Sequence, residues 1–467
     1  MNFIFIFSLV LLVQAGKRFE LRSQFEKSLS TNHQKDFNST VTGMEKLNKI
    51  IRRILKMEKI VNETEEENQD MEERPLENPD LFQGDLILTE SQMNSIIDNE
   101  IKKANEINID VSDIANISDS RSKRSLLYPE TFEWTFPIPY YVYPQVSSAI
   151  VDASLREISQ ETCVTFTKNT APIVGKSGIH YINGTGCGTY VGRTSETEPE
   201  EVSISTGCGT ITIVQHETAH VLGLEHEQTR MDRDQYLIVN LTNGMLTAPS
   251  QINKLTNERT FGVPYDYGSN MQYHRLAYSA NGLPTMLPIN GLYGRTLGSG
   301  TKLSFNDIKL INARYCSTVC PTAKECFMGG YQDPNKCGYC KCPDGYIGTA
   351  CLTKVLNATV CGTQQFTATT TTQTLSISGA KDCYYYINTD KGYKIQLNGV
   401  TTNLTHYDAC YMGKGAEIKF KEDKTVAGIR LCGVNSNINI ITEIQDVIIR
   451  YVGGSGHSFK LSYVRAQ

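Results

Sequence analysis

His216-Glu217-Thr218-Ala219-His220-Val221-Leu222-Gly223-Leu224-Glu225-His226 reads as a helix that carries two histidines on one face and then turns back to deliver a third. Residues four apart on an α-helix share a face, so His216 and His220 can offer ring nitrogens to one ion at about 2.0–2.1 Å. Gly223 suits a left-handed turn that ends the helix and returns His226 from another direction. Three protein ligands leave a zinc ion one open position, where a bound water is acidified toward neutrality. Glu217, next to the first ligand, is placed to take that water's proton and pass it to a leaving amine. Ordinary helix histidines do not account for the pattern, because three of only eight histidines fall here with Glu and Gly where the chemistry needs them. Ile211, Ile213, Val214, Ala219, Val221 and Leu222 give the helix an apolar face to bury.

The run His216 to Arg233 resembles the long zinc signature of the astacin family of metzincin zinc metalloendopeptidases. Asp266-Tyr267-Gly268-Ser269-Asn270-Met271-Gln272-Tyr273 is similar to that family's Met-turn. The resemblance implies that Met271 forms an apolar floor under the metal and that the Tyr273 hydroxyl is a displaceable ligand that moves to stabilise the oxyanion. Gln272 stands where the family usually has His; the position is not a ligand, so activity is not expected to be lost with it. The segments around Cys163, Cys187 to Arg193, and Leu303 to Ile308 also look like family segments, so the resemblance covers Ser125 to Cys316. It implies an α+β metzincin (zincin-like) fold, with a twisted sheet and the zinc-binding helix above the cleft and a more irregular lower half carrying the Met-turn.

The amino terminus speaks for compartment. Residues 2–13 are nearly all apolar and Val13-Gln14-Ala15 ends in residues acceptable to signal peptidase, so 1–15 reads as a signal peptide and the product as secreted. No later stretch approaches the roughly 18–20 apolar residues needed to span a bilayer. Fourteen cysteines agree with an oxidising route. So do glycosylation sequons at Asn38, Asn62, Asn116, Asn183, Asn240, Asn357 and Asn403. A formal charge of −5 on 467 residues argues against nucleic acid as a partner.

Residues 16–124 lack cysteine and are rich in Glu, Asp, Asn, Lys and Ser, with the acidic run Glu63-Thr64-Glu65-Glu66-Glu67. Taken alone, this is the composition of a disordered tail that buries little apolar surface. Two features make it read as a propeptide. It ends at Arg121-Ser122-Lys123-Arg124, a dibasic site of the proprotein-convertase type, and cleavage after Arg124 would free Ser125 as a new amino terminus. It also contains Phe82-Gln83-Gly84-Asp85-Leu86, which resembles the astacin pro-segment motif whose aspartate binds the zinc in place of water, in the proenzyme only. The resemblance further implies that Glu227 senses the freed amino terminus.

The cysteines divide the rest. Cys163, Cys187, Cys208 and Cys316 lie within the expected protease domain, 125–316, where four cysteines allow three pairings. The family resemblance implies Cys163–Cys316 and Cys187–Cys208. Cys320, Cys326, Cys337, Cys340, Cys342 and Cys351 crowd into 317–352, a stretch too small for a self-sufficient core. It looks like an EGF-like module, which implies Cys320 with Cys337, Cys326 with Cys340 and Cys342 with Cys351.

Residues 361–467 hold two equally spaced pairs, Cys361 with Cys383 and Cys410 with Cys432. Short alternating runs such as Tyr393–Leu397 and Asp446–Tyr451 favour an all-β sandwich, which looks like a CUB domain. Some CUB domains bind calcium; Asp408 and Glu417 are equally readable as surface charges. The order of modules resembles that of secreted nematode astacins. The implied cofactor is one Zn2+. The implied partners are protein substrates, an activating convertase, and extracellular matrix or other proteins through the last two modules. Many astacins read an acidic residue after the scissile bond with an arginine whose position here is held by Gly300, which leaves Lys302 or Arg295 as a substitute, or no such preference, as the alternatives.

Overall fold

The computed structural model describes residues 19–57, 74–115, 132–255 and 260–467. The signal segment, the acidic run from Glu63 to Glu67, Asn62, Asn116, Arg124 and Ser125 lie outside the described residues.

The expectation of a segment with little to bury is corrected. Thr31–Ile54 is a helix whose Phe37, Val41, Met44, Leu47, Ile50 and Ile51 recur every three or four residues and are all buried. It packs on the helix Glu90–Glu106 through Met93, Ile96 and Ile97. The close approach leaves no room at Gly43, where a Cβ would lie 2.2 Å from Met93 Cγ. Thr89 and Gln92 form a reciprocal capping box at the start of the second helix. High polarity between the apolar positions hid a helical period that composition alone does not reveal.

The central domain is built on a five-stranded sheet of β1 (Ile138–Val142), β2 (Phe166–Lys168), β3 (Ile179–Ile182), β4 (Cys187–Gly188) and β5 (Glu200–Ile204). Their order is β2-β1-β3-β5-β4. The first four neighbours run parallel and β4 is an antiparallel edge. Ile179, Tyr181, Val202 and Ile204 share one apolar cluster with Val151, Leu155 and Ile158 of the helix Ser148–Glu161 and with Val214 and Ala219 of the helix Ile211–Val221. Residues 85–87 of the amino-terminal segment extend the sheet beyond β4. Thr189 N–H donates to the Asp85 carbonyl and Ile87 N–H donates to the Thr189 carbonyl, each at 2.8 Å. The half that follows His226 is held by short turns, by the pairing of Leu237–Val239 with Met286–Pro288, and by stacked tyrosines such as Tyr267 on Tyr293.

No cysteine among the described residues is free. Cys163 is bonded to Cys316 and Cys187 to Cys208 in the central domain. Cys320 pairs with Cys337, Cys326 with Cys340 and Cys342 with Cys351 in the small module. Cys361 pairs with Cys383 and Cys410 with Cys432 in the last domain. That domain is a sandwich. A sheet of Gln365–Thr367, Lys381–Asn388, Asp446–Gly453, Gly415–Lys419 and Ile429–Leu431 faces one of Gln373–Ser378, Ser458–Ala466, Lys394–Asn403 and Val434–Ile441. Its core is continuous with that of the lower half of the central domain, from Ile418 and Phe420 to Tyr293, Tyr267 and Tyr273.

Candidate metal centre

The helix bearing the first two histidines starts where the Thr210 side chain accepts from Ile213 N–H. It ends where Gly223 N–H returns to the His220 carbonyl at 2.7 Å and Leu224 N–H to the Ala219 carbonyl at 2.9 Å. Gly223 has φ +87°, and a Cβ there would also lie 2.0 Å from Arg314 Nη1. The positive φ is what calls for glycine, since the Arg314 guanidinium can shift, and the turn brings His226 back over the helix.

Each imidazole is oriented by a carbonyl oxygen on its Nδ1 side. His216 meets the Asn270 carbonyl at 2.9 Å, His220 the Leu224 carbonyl at 2.8 Å, and His226 the Gln83 side-chain Oε1 at 2.9 Å. A carbonyl can only accept, so each Nδ1 carries the proton and each Nε2 presents a lone pair. Those lone pairs face one another: His216 Nε2 lies 3.1 Å from His220 Nε2 and 3.3 Å from His226 Nε2. Asp85 Oδ2 joins them, 3.1 Å from both His216 and His226 and 3.8 Å from His220. All four ligand atoms lie within 4.8 Å of one another and all four residues are buried. Converging lone pairs without a proton between them repel unless a cation lies among them, and three nitrogens with one oxygen are a zinc donor set. The residues fit the ion.

Burial works against ionising Asp85, yet the facing rings of His226, His216 and His220 outweigh it and hold its carboxyl well below the usual range. Burial pushes His220 down to about 4 and lowers His226 as well, which keeps these rings neutral and able to ligate. The Tyr273 hydroxyl, with one proton to donate, lies among three acceptors: Asp85 Oδ2 at 3.0 Å and the carbonyls of Leu76 and Gln83 at 2.7 Å each. Glu217 is wholly buried, and among the described residues neither carboxylate oxygen has a hydrogen-bond partner. Burial, with repulsion from Asp85, pushes its carboxyl well above the usual range.

Met271 is buried in the cluster that contains Val214 and Ala219. Its turn is tied down by Asp307, which accepts from Ser269 Oγ at 2.6 Å and from Asn270 N–H at 2.9 Å. Gln272 points away from the histidines, accepting from the Tyr265 hydroxyl and donating to the Tyr273 carbonyl. Glu227 accepts from Asp266 N–H at 2.6 Å and faces Arg230 Nη1 at 3.4 Å. Burial, with repulsion from Asp307 and Asp266, carries its carboxyl up to about 8.

Arg295 is not a free cleft cation: it donates to the carbonyls of Tyr407 and Cys432 in the sandwich. Lys302 is exposed. Glu417 is engaged by Arg430 and Gly428 N–H, while Asp408 is exposed beside His406 at 4.0 Å.

Several further residues shape the site. Gln83 orients His226 by its side chain and Tyr273 by its carbonyl, and it adopts φ +52° to do both. Gly84 follows at φ +92°, where a Cβ would lie 2.1 Å from Tyr278 Oη and 2.3 Å from the Leu76 carbonyl. Glu77 is buried and accepts from Tyr278 N–H at 2.7 Å, with His274 Nε2 at 2.9 Å. The last two lie outside every motif quoted from the sequence, and only the fold brings them together.

Residues 127–316 match the Astacin peptidase family. The chain is 34% identical over 399 residues to Zinc metalloproteinase nas-34 of Caenorhabditis elegans, covering 84% of this chain and 65% of that one. It is 32% identical over 376 residues to Zinc metalloproteinase nas-30 of the same organism, covering 79% of this chain and 48% of the relative. It therefore spans less than two thirds of the length of these relatives. Among solved structures, High choriolytic enzyme 1, a hatching enzyme zinc-protease from Oryzias latipes (medaka fish), is 32% identical. That match covers 40% of this chain and 93% of the enzyme, with a TM-score of 0.35. With the signature histidines converged on one point and the sequence matching along the whole central domain, the chain belongs to the astacin family.

Proposed function

We propose that this chain is a secreted zinc endopeptidase held latent by its amino-terminal segment, residues 16–124. One observation carries the reading: the Asp85 carboxylate sits among His216, His220, His226 and Tyr273, beside a buried Glu217 that has no hydrogen-bond partner among the described residues. His216, His220 and His226 would hold the zinc, which supplies Lewis acidity toward a carbonyl and acidifies a bound water. The rest of the chemistry belongs to this chain's own groups. Cleavage after Arg124 removes Asp85 together with the Leu76 and Gln83 carbonyls, the three acceptors that occupy the Tyr273 hydroxyl. Tyr273 Oη is then free to donate to an oxyanion. Glu217 takes the proton of the attacking water and hands it to the leaving amine. The N–H and carbonyl of Thr189, which pair with residues 85 and 87 in the latent form, are available to an extended peptide as a strand added to the sheet edge.

Glu227 is the proposed partner of the Ser125 ammonium, in exchange for its weak contact with Arg230. Met271 is the proposed floor of the centre. The six-cysteine module is read as EGF-like and the sandwich as CUB-like, both available to matrix proteins. Asn38, Asn183, Asn357 and Asn403 are exposed and accessible to glycosylation, whereas Asn240 is half-buried and caps Thr242. The test is digestion of a protein substrate by zymogen cut after Arg124. A zinc chelator should abolish it and added zinc restore it; digestion that a chelator leaves unchanged would overturn the reading.

A further inference from the structure

Strand Ile429–Leu431 of the sandwich buries Ile429 and Leu431 in the shared core, and the alternation of a strand turns Arg430 between them toward the central domain. Arg430 is only 4% exposed. Its Nη1 donates to Ser299 Oγ at 2.5 Å and to the Ser299 carbonyl at 3.2 Å, and its Nε faces Glu417 Oε2 at 3.4 Å. The same surface of the sandwich holds the Met-turn: Ala427 N–H donates to Asp266 Oδ1 at 2.9 Å. Met412 N–H donates to the Ser299 carbonyl at 2.9 Å.

Two glycines record how tightly these parts meet. A Cβ on Gly268 would lie 2.4 Å from Ala427 Cβ and 2.8 Å from Arg430 Nη2. Gly268 has no positive φ, so close approach of the sandwich, rather than backbone conformation, explains the missing side chain. A Cβ on Gly300 would lie 2.9 Å from Asn270 Cα. The Met-turn therefore has the sandwich against Gly268 and the loop at residues 296–300 against Asn270, and Arg430 reaches from one to the other. Asn270 in turn offers its carbonyl to His216 Nδ1 at 2.9 Å.

A buried Arg–Glu pair is a costly way to join two apolar surfaces, which would adhere without it. What a guanidinium adds is a planar fork of donors with fixed directions. We propose that the C-terminal sandwich is a working part of the metal centre and that Arg430 is its positioning residue. By locking the Met-turn and the 296–300 loop together, it holds the Asn270 carbonyl that orients His216. The proposal rests on the endopeptidase reading above.

The test uses the full chain processed after Arg124. Carbonyls and carboxylates behind a metal-binding histidine typically change affinity or activity by about 10- to 100-fold when lost. Arg430→Gln should therefore lower kcat by about tenfold or more, leave KM within about threefold, and speed zinc transfer to a competing chelator by about tenfold. Arg430→Lys, which cannot fork, should fall between. If Arg430→Gln does not fold, Gly268→Ala serves: it should lower kcat alone and regain most of it as Gly268→Ala/Ala427→Gly. The proposal is overturned if folded variants keep kcat and zinc transfer within about twofold of the parent, or if Ala427→Gly gives no relief. A mere adhesive role predicts a lower melting temperature with unchanged kinetics and zinc transfer. If the processed parent itself digests nothing, the endopeptidase reading fails, and the zinc-transfer comparison still decides the coupling.

Discussion

Removing the Asp85 carboxylate should make the uncut chain leak activity. In the latent form this group accepts from Tyr273 at 3.0 Å and lies 3.1 Å from two of the imidazoles that converge on the metal position. Hydrogen bonds to a charged group contribute about 1.5–3 kcal/mol each. The Tyr273 hydrogen bond and the carboxylate's place at the cation position among the imidazoles, each taken at this size and discounted for water that enters instead, leave about 3 kcal/mol, or roughly 150-fold in the equilibrium between closed and open segment. Leu81 and Ile87 stay buried against Ile182 and Tyr190, and the pairing with Thr189 is untouched. Asp85→Ala should therefore leave the segment bound and the chain short of full activity. The assay is turnover of a quenched fluorescent peptide by zymogen whose Arg124 is replaced so that it cannot be cut. Parent zymogen should be nearly silent, and Asp85→Ala should rise by roughly two orders of magnitude while remaining below the processed enzyme. Uncut Asp85→Ala that stays within about twofold of the parent would refute the latch, placing latency in steric cover alone.

Two more outcomes bear on the same segment. Gly84→Ala meets both a backbone carbonyl and a positive φ, a strain of about 1–3 kcal/mol, so its uncut zymogen should also leak, and an unchanged signal would contradict the close fit at Leu76. His33, buried in the first long helix, lies 2.8 Å from Glu201 of β5. Burial lowers its pKa, but the hydrogen bond and charge of Glu201, with Glu200 and Asp36 beyond, outweigh this and raise it. A raised pKa in the docked state stabilises docking below the ordinary histidine range and is lost as pH rises through the raised value. The ratio of uncut to processed activity should therefore climb with pH, and His33→Gln should flatten that climb; a ratio that falls with pH would contradict the pairing.

The sequence was most legible where chemistry demands fixed spacing. The three histidines, Glu217 and the terminating Gly223 could be placed on one helix and its turn because ligand geometry allows few alternatives. The β-sandwich was legible from period-two runs, and Lys394–Asn403 and Asp446–Gly453 are strands. The amino-terminal helices are hidden by composition and visible only in the period: Phe37, Val41, Met44, Leu47 and Ile51 trace one face between polar residues. Contacts such as Glu77 with His274, or Arg430 with Ser299, join residues more than a hundred positions apart, and no local pattern announces them.

Glu217→Ala in the processed chain, with zinc content and turnover measured on one sample, decides whether Glu217 performs the proton transfer at a zinc held by three histidines. About one zinc per chain is expected, as in the parent, with turnover lost by at least about three orders of magnitude. Full zinc with turnover near that of the parent would contradict it.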